Sequence, residues 1–521
     1  MPRIALALLL VFTSVVPASA GAAPGASAGS LPELASRALQ PATTGAVRLS
    51  LADAVAGALG RNAALAVRRL DPAIARARLL QEQGALDDSV TAQLQRQHNE
   101  TPTATSLSGA TVSENDSRTT NFGYRMRLEE GSVVGMDLQN QRSATNSRFQ
   151  TLNPSYQSQL VVSYTRPLLR GAGREVVTAG ISVARNGVEQ GRLRLRKQVL
   201  DTLATVEKQY WDLVFARQDR EVQRFALELA RELLDYNLSR RDSGLGSEVQ
   251  VIEARATEAV RADNLELASR VVRDAQAALH RLLALPDAGP GTELVPVESP
   301  AQLPPPASLE RALAVAFVKR PERADALLEI ANKSIRLKML ANQKLPKVDL
   351  VASYNQNGLG GGFGTAFDQA VGSDFPGYVV GVQVELPLRR RAARGAWDQG
   401  RLEKEQALLQ LKAVEDQLQE EVTKAVSALD TALRRVEVSR RAADLSEKQL
   451  EAARARYQQG LIANFDLLRF QQDLADARSR ALKAVVDARE AGLALQASTG
   501  SLLEDRGVSL EEAAAAPAPA R

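Results

Sequence analysis

The chain has 521 residues, with 65 basic and 61 acidic side chains spread along its whole length and a formal net charge of +4. No block of like charge is present, which gives nucleic-acid binding no support. The sequence contains no cysteine, so disulfides, thiolate metal sites and lipidation of an N-terminal cysteine are excluded.

Residues 1–20 have the layout of a secretory signal. Arg3 supplies a positive charge, an apolar run extends from Ile4 to Val16, and a small-residue cleavage site ends at Ala20. The alternative is an N-terminal membrane anchor, but the run is short for a span of about 20 residues. We therefore predict an exported chain, with a flexible N-terminal segment at 21–48 and no transmembrane helix further along.

The remainder contains two copies of one plan, at 49–285 and 308–500. Each copy opens with a Ser-Leu segment, continues through alternating strand-like stretches to a Pro-Leu pair, and then enters a very long helical pattern. The paired landmarks are Ser50-Leu51 and Ser308-Leu309, then Pro167-Leu168 and Pro387-Leu388. The proline-rich and glycine-rich stretch 286–307 predicts a linker, and the Ala-Pro repeats in 501–521 predict a disordered tail.

The strand-like stretches lie near 88–97 and 158–167 in the first copy and near 347–356 and 377–387 in the second. Apolar side chains alternate with polar ones in each, as in the strands of a transmembrane β-barrel. A soluble sandwich would show similar alternation, but the flanking long helices favour a barrel. Because a bilayer does not tolerate open sheet edges, several chains must share one barrel.

The first copy also has an extra alternating hairpin at 121–141. Phe122, Tyr124 and Met126 lead to the turn Glu129-Glu130-Gly131-Ser132, and Val134 and Met136 follow it. Two additional barrel strands would explain this pattern. A hairpin folded above or inside the mouth of the barrel would explain it equally well.

The helical patterns set a length scale. The stretch from Arg394 to Gln459 has no proline, and its apolar residues recur in steps of three and four. A helix of about 66 residues spans roughly 100 Å. Each long helix is broken by a Gly-Leu pair and followed by a shorter return helix, at roughly Ser247–Leu285 and Ala463–Ser498. Helices alone would also fit a coiled-coil spacer.

In this order of features the chain resembles the TolC-type outer-membrane efflux protein family over essentially the whole mature sequence. The most specific stretch is Arg454-Ala455-Arg456-Tyr457-Gln458-Gln459-Gly460-Leu461, which leads into Asp466-Leu467-Leu468. The resemblance implies an α+β membrane protein, homotrimeric, with a shared transmembrane β-barrel in the outer membrane and a long α-helical barrel in the periplasm. It also implies a periplasmic adaptor and an inner-membrane transporter of pump or ABC type as partners, besides outer-membrane lipid.

The same resemblance assigns candidate sites. Gly244, Leu245, Gly460 and Leu461 would be the helix tips that dock the adaptor, although glycine at a helix end can simply form a turn. Tyr457, Asp466 and Arg469 would lie at the periplasmic gate.

The match at the gate is incomplete. Arg469 stands where some members have a second acidic residue, Ile462 where they have a basic one, and Gln250 where they have an acidic partner. The charged lock of those members is therefore in doubt, and Asp466 could pair with Arg469 along the helix instead. Aspartates at one level of a symmetric ring could alternatively bind cations.

Nothing in the sequence indicates an enzyme. His98 and His280 have no partner at ligand spacing, so we predict no metal, cofactor or catalytic residue. The glycine-rich stretch 358–364 lacks the ending of a phosphate loop and predicts a flexible hairpin loop. Arg389-Arg390-Arg391 marks either the barrel-to-helix transition or a solvated helix start. The predicted function is a passive efflux or type I secretion channel, with a pore-less periplasmic scaffold or adaptor protein as the alternative.

Overall fold

The computed structural model describes residues 46–103, 111–284 and 292–509. The predicted secretory signal at 1–20 and its cleavage after Ala20 lie outside the described residues. So do all but the last three residues of the predicted N-terminal segment 21–48, part of the predicted linker 286–307, and most of the predicted tail.

The described residues form eight strands. They are β1 (Ala46–Leu49), β2 (Ser89–Pro102), β3 (Val112–Arg127), β4 (Val133–Thr145), β5 (Ser155–Pro167), β6 (Glu293–Pro296), β7 (Lys347–Gly360) and β8 (Pro376–Glu385). Six of them make an antiparallel sheet in the order β2-β3-β4-β5-β7-β8, and β1 pairs in parallel with β6.

Helices make up most of the rest of the described chain. They are α1 (Leu51–Arg61), α2 (Ala63–Arg69), α3 (Asp71–Gln83), α4 (Arg174–Val177), α5 (Ala179–Asp242), α6 (Glu248–Leu283), α7 (Leu309–Lys319), α8 (Pro321–Gln343), α9 (Phe363–Gly372), α10 (Arg391–Gln458), α11 (Asn464–Thr499) and α12 (Leu502–Asp505). Among the described residues no helix is both long and apolar enough to cross a membrane.

The extra hairpin of the first copy belongs to the sheet. Strands β3 and β4 lie between β2 and β5, and both extend beyond the predicted range of 121–141. Gly131 has a positive φ of 98° in the turn that joins them, and the N–H of Leu128 donates to the carbonyl of Ser132 at 2.8 Å. The structure thus decides for additional sheet strands rather than a hairpin folded at the mouth.

One face of the sheet is apolar across all six strands. Directly paired residues point to the same face, and the pairing forms rows that run from edge to edge. One such row is Val90, Tyr124, Met136, Val162, Tyr354 and Tyr378. Many of these side chains are exposed in the single chain, up to 80% for Tyr378. The predicted alternation is confirmed, and the described residues leave this row largely exposed, although α9 covers the same face further along β7.

The opposite face carries a polar row three residues along each strand from the apolar row. A row of amides crosses four of its strand pairings and consists of Gln93, Asn121, Gln139, Gln159 and Asn357. Neighbouring amides in this row bind each other, since Asn121 Nδ2 donates to Gln93 Oε1 at 3.3 Å and Gln159 Nε2 donates to Asn357 Oδ1 at 2.9 Å. The sheet therefore has one face suited to lipid and one suited to water.

The prediction of a flexible loop at 358–364 is wrong. Strand β7 continues to Gly360, and α9 begins at Phe363 and packs back against the strand. A Cβ atom at Gly358 would overlap the carbonyl oxygen of Ala366, so glycine is needed here for the close approach of helix and strand.

Two long helices, α5 with 64 residues and α10 with 68, leave the sheet from β5 and β8. Each packs against a 36-residue return helix, α6 or α11. The predicted apolar seams are buried, as shown for α10 by Leu418, Val422, Leu429 and Val436. These helices have the lengths and the three-four spacing that the sequence predicted.

A short strand pair corrects two predictions. The predicted flexible segment 21–48 ends in β1, and the predicted linker 286–307 contains β6, which pairs with it. Leu49 and Leu294 are buried beside Tyr210 of α5, whose hydroxyl donates to the carbonyl of Leu49 at 3.1 Å. Burial of these two leucines stabilises the strand pair. The proline-rich and glycine-rich composition of the two segments did not predict this contact.

The tail also differs from its prediction. Residues 501–508 are packed rather than disordered, because Leu502 and Leu503 of α12 are buried against α5 and α1. Arg506 donates through Nε and Nη2 to the carboxylate of Glu207, at 3.0 and 2.5 Å. The side chain of Glu207 is 6% exposed, so this ion pair is shielded from water.

We expect Arg506→Gln to lower the free energy of unfolding by about 1.5–3 kcal/mol, because the buried carboxylate of Glu207 loses two charge-assisted hydrogen bonds. Lys319→Gln is the control, since its ion pair with Glu504 is exposed and is worth at most about 1 kcal/mol. Thermal unfolding in detergent, followed by tryptophan fluorescence, measures both. Equal shifts for the two variants would contradict the prediction.

Candidate functional site at the helix tips

The two helix tips have the same backbone geometry. At the end of α5, Gly244 has φ +71°, its N–H donates to the carbonyl of Arg241, and the N–H of Leu245 donates to the carbonyl of Arg240, each at 2.9 Å. At the end of α10, Gly460 has φ +72°, and Gly460 and Leu461 donate at 2.9 Å to Tyr457 and Arg456. This pair of bonds is the Schellman motif, which requires a left-handed residue and so favours glycine.

The leucine after each glycine points into solvent. A hydrophobic residue at this position of the motif usually packs back onto its own helix, yet the residues it would meet here are arginines. Leu245 is 72% exposed and Leu461 is 68% exposed. Val249 and Ile252 of α6 and Phe465 of α11 are also exposed beside them. We call these five side chains the tip patch.

Gln250 and Asp466, one from each hairpin, cap the return helices. Gln250 and Ser247 form a capping box, in which the N–H of Gln250 donates to Ser247 Oγ at 3.4 Å and the N–H of Ser247 donates to Gln250 Oε1 at 3.3 Å. In the second hairpin Asp466 accepts from the N–H of Ala463 at 3.3 Å. Both side chains therefore fix the start of a helix.

Tyr457 lies in a buried polar cluster that joins the two hairpins. Its hydroxyl donates to Asn237 Oδ1 of α5 at 2.7 Å and also approaches Asn464 Oδ1 of α11 at 3.2 Å. Asn237 Nδ2 donates to Asn464 Oδ1 at 3.0 Å, and Asn464 Nδ2 donates to Glu253 Oε2 of α6 at 2.9 Å. The four side chains thus connect α5, α6, α10 and α11, and we call them the tip network.

Three of the four side chains in the tip network are buried. Asn237, Tyr457 and Asn464 are 1–3% exposed and lie against an apolar cluster from α5, α10 and α11. Burial raises the pKa of Tyr457, so its hydroxyl keeps its proton and remains a donor. Leaving a buried polar group without a hydrogen-bond partner costs free energy. Because the partners come from both hairpins, a movement of one hairpin relative to the other would break these hydrogen bonds.

The structure separates the three candidate gate residues. Tyr457 is buried, whereas Asp466 and Arg469 are exposed on α11. Within the described part of the chain Asp466 and Arg469 do not form the ion pair that the sequence suggested, because Asp466 turns back to the helix start. The sequence analysis missed Asn237 and Asn464. The sequence contains a signal for both, because each asparagine takes a position where the helical spacing calls for an apolar residue. Asn237 follows Leu229 and Leu233 at steps of four, and Asn464 precedes Leu467 by three.

A sheet with a largely exposed apolar face, continued by helices of more than sixty residues, has the features expected of the class of membrane channels with a long helical extension. Comparison with known proteins agrees with this class. Residues 319–501 match the family described as outer membrane efflux protein. The outer membrane efflux protein BepC of Brucella suis biovar 1 (strain 1330) is 24% identical over 333 residues, which cover 63% of this chain and 69% of BepC.

Solved structures have the same fold at low identity. A membrane protein from Pseudomonas aeruginosa superimposes with a TM-score of 0.65 at 18% identity, covering 86% of this chain and 90% of its own. The Campylobacter jejuni CmeC outer membrane channel gives 0.64 at 15% identity, with 89% of both chains covered. The open state of the Neisseria gonorrhoeae MtrE channel gives 0.60 at 18% identity, covering 86% and 88%.

The resemblance to the TolC-type outer-membrane efflux family is confirmed. The chain is a homologue of the outer-membrane channels of tripartite efflux systems, with a mixed α/β fold. The matching relatives are outer-membrane proteins, which supports the predicted location in the Gram-negative outer membrane. The family is one of channels rather than of enzymes.

Proposed function

We propose that three copies of this chain form one passive channel, with their sheets closed into a single transmembrane β-barrel. The observation that supports this most is the open sheet, whose edge strands β2 and β8 lack a partner on their outer sides within the described chain, next to a largely exposed apolar face. Open edges are not tolerated in a bilayer. Three sheets of six strands make an eighteen-stranded barrel, a size at which barrels hold a water-filled channel.

The helical part of the channel arises from the two copies of the plan, at 49–285 and 308–500, each contributing one long hairpin to the wall of an α-helical barrel. Three chains bring six such hairpins around one axis. The channel spans periplasm and outer membrane and performs no chemistry. Its energy comes from an inner-membrane transporter, either an efflux pump or a secretion ATPase of ABC type, which a periplasmic adaptor joins to it.

Barrel closure is tested by cross-linking the two sheet edges. The natural chain has no cysteine, so a chain with one cysteine on β2 and one on β8 reports only that contact. We expect a set of such pairs, scanned along the polar faces of both strands, to give covalent dimers and trimers at matching register. Chains with either cysteine alone should stay monomeric on denaturing gels. Absence of cross-linked trimer at every register would contradict a shared barrel.

The tip patch is proposed as the docking surface for the adaptor. Gly244 and Gly460 set the turns, and Leu245 and Leu461 project from them largely into solvent. Desolvation of exposed leucines at a protein interface is favourable. This role supplements the turn-forming role of both glycines and does not replace it.

The tip network is proposed as part of the periplasmic gate, since it holds both hairpins of one chain in a fixed relation at the channel end. Tyr457 is its central donor. Asp466 and Arg469 are proposed to face the entrance from α11, where their side chains are exposed. In this proposal buried hydrogen bonds within one chain hold the gate closed. The resemblance implies that some members of the family use charged pairs instead.

We expect Tyr457→Phe to loosen the gate, because Asn237 and Asn464 lose the hydroxyl between them and the cost is about 1–3 kcal/mol. Single-channel recording in planar bilayers should show longer open times, roughly tenfold for a change of 1.4 kcal/mol. Tyr236→Phe is the control, because Tyr236 is 38% exposed and its ring lies 5.9 Å from that of Tyr457. Unchanged gating in both variants would exclude the tip network from the gate.

A further inference from the structure

The two junctions between sheet and long helix have similar sequences. The first, at 167–174, follows β5 and reads Pro-Leu-Leu-Arg-Gly-Ala-Gly-Arg, and the second, at 387–394, follows β8 and reads Pro-Leu-Arg-Arg-Arg-Ala-Ala-Arg. Both lie at the same end of the sheet, where the strands meet the helices. Their arginines nevertheless have different surroundings.

At the first junction the arginines are neutralised by carboxylates. Arg170 Nη2 lies 3.2 Å from Glu385 Oε1, and Arg174 Nε lies 2.8 Å from Glu129 Oε2. Glutamates on β8 and in the β3–β4 turn therefore balance the charges of these two arginines.

At the second junction three arginines are left without such partners. Arg389, Arg391 and Arg394 are exposed, and none of them forms an ion pair within the residues that the structure describes. The fourth, Arg390, donates instead to the backbone carbonyls of Pro387 and Lys344, at 3.4 and 3.3 Å. The Nζ of Lys344 in turn lies 3.6 Å from the ring centre of Trp397, which adds another cation to the cluster.

This cationic cluster directly continues the apolar face of the sheet. Val382 and Val384 lie on the apolar face of β8 and are 61% and 63% exposed. Leu386 and Leu388 follow the end of the strand, are 48% and 92% exposed, and lead directly to Arg389. An apolar surface that ends in unpaired cations matches a phospholipid, whose acyl chains lie above an anionic headgroup.

We propose that the second junction binds the headgroup of an anionic phospholipid in the periplasmic leaflet, through Arg389, Arg391 and Arg394. The proposal rests on the proposed barrel, which places this end of the sheet at that leaflet. Arginine binds phosphate oxygens with its planar fork of donors, and Leu388 contacts the first part of the acyl chains. A zwitterionic phospholipid offers the same phosphate but offsets it with an ammonium group, so it is bound less well.

The test uses the full-length protein purified as trimers in a neutral detergent and mixed with equal amounts of phosphatidylglycerol and phosphatidylcholine. Native mass spectrometry counts the lipids that remain bound. We expect the wild type to prefer phosphatidylglycerol, and Arg389→Gln/Arg391→Gln/Arg394→Gln to lose at least about fivefold of that preference, the effect of one basic side chain near an anionic surface.

Two further variants separate charge from position. Arg389→Lys/Arg391→Lys/Arg394→Lys keeps the charges and should keep most of the preference. Arg434→Gln/Arg440→Gln/Arg441→Gln removes the same charge from the middle of α10, roughly 60 Å or more away at about 1.5 Å per residue, and should leave the preference unchanged.

The outcomes are distinct. An unchanged preference in the junction Gln variant, or an equal loss in the mid-helix control, overturns the lipid site while leaving the channel intact. Competition by inorganic phosphate at equal strength would show an anion site without lipid specificity and would also overturn it. If the wild type is absent from outer membranes and forms no heat-modifiable trimer, the proposed channel fails and the lipid site fails with it.

Discussion

Arginine in place of Val162 is expected to abolish assembly of the trimer in the outer membrane. Val162 lies in the middle of β5, on the apolar face, paired with Met136 and Tyr354, and it is 42% exposed. If that face contacts lipid, a charged side chain near mid-bilayer costs about 2–4 kcal/mol in each chain. A barrel of three chains contains this substitution three times, so the total free-energy cost is three times as large. That total approaches the free energy of unfolding of a typical protein.

The neighbouring residue provides a matched control. Val161 has the same side chain on the same strand but faces the opposite way, where Asp137 and Asn355 are its partners. Val161→Arg places its charge on the polar face beside a carboxylate and should leave assembly intact. Outer membranes are isolated, and heated and unheated samples are compared on denaturing gels. The band that is lost on heating measures the amount of trimer. Equal loss in both variants would mean that the polar face is not lined with water, and survival of both would mean that the apolar face does not contact lipid.

The faces of the sheet could be predicted from the sequence because side-chain direction in a strand has a period of two and needs no knowledge of neighbours. The alternation predicted for 158–167, 347–356 and 377–387 was correct on that ground alone, although these stretches come from distant parts of the chain. The long helices were predicted for a similar reason, since their three-four apolar spacing is a local property. The period of two in the strands and the three-four spacing in the helices are both readable because each element repeats its pattern several times.

What the sequence did not reveal depends on single long-range contacts. The β1–β6 pair has four residues in each strand, too few for a periodic signal, and it forms because Leu49 and Leu294 are buried together. The close packing of α9 on Gly358 likewise depends on a contact that glycine composition alone cannot specify. These segments were predicted to be flexible because proline and glycine are frequent in loops. The same residues are also frequent at tight packing contacts, so composition alone does not distinguish the two.

The candidate gate residues show a different limit. Tyr457 lies at the helix tips as its sequence position implies, but its partners are Asn237 and Asn464 and not Asp466 or Arg469. The resemblance directed attention to charged positions, and two of these, at 250 and 466, cap helices. A polar residue within an apolar stripe was the better signal, because a buried amide must find a partner and therefore marks a contact between elements.

Aspartate at both Leu245 and Leu461 is expected to remove adaptor docking without disturbing the trimer. The turns depend on Gly244 and Gly460 and on backbone hydrogen bonds, which the substitutions leave in place. Burying an exposed leucine is worth about 1.5–3 kcal/mol, so the loss of two should weaken binding at least about tenfold. The measurement is chemical cross-linking in whole cells, purification through a C-terminal tag, and identification of the captured periplasmic protein by mass spectrometry.

Methionine at the same two positions tests whether the apolar character of the tips is what docks. Methionine has a similar volume and adapts to irregular surfaces, so Leu245→Met/Leu461→Met should capture the adaptor as the wild type does. If the aspartate variant forms normal trimers and still captures it, docking does not use the tip leucines. If the methionine variant fails as badly as the aspartate variant, the shape of the leucines matters more than their hydrophobicity. Loss with aspartate and retention with methionine would establish that two glycine turns, far from the membrane, expose the apolar side chains through which the channel meets its partner.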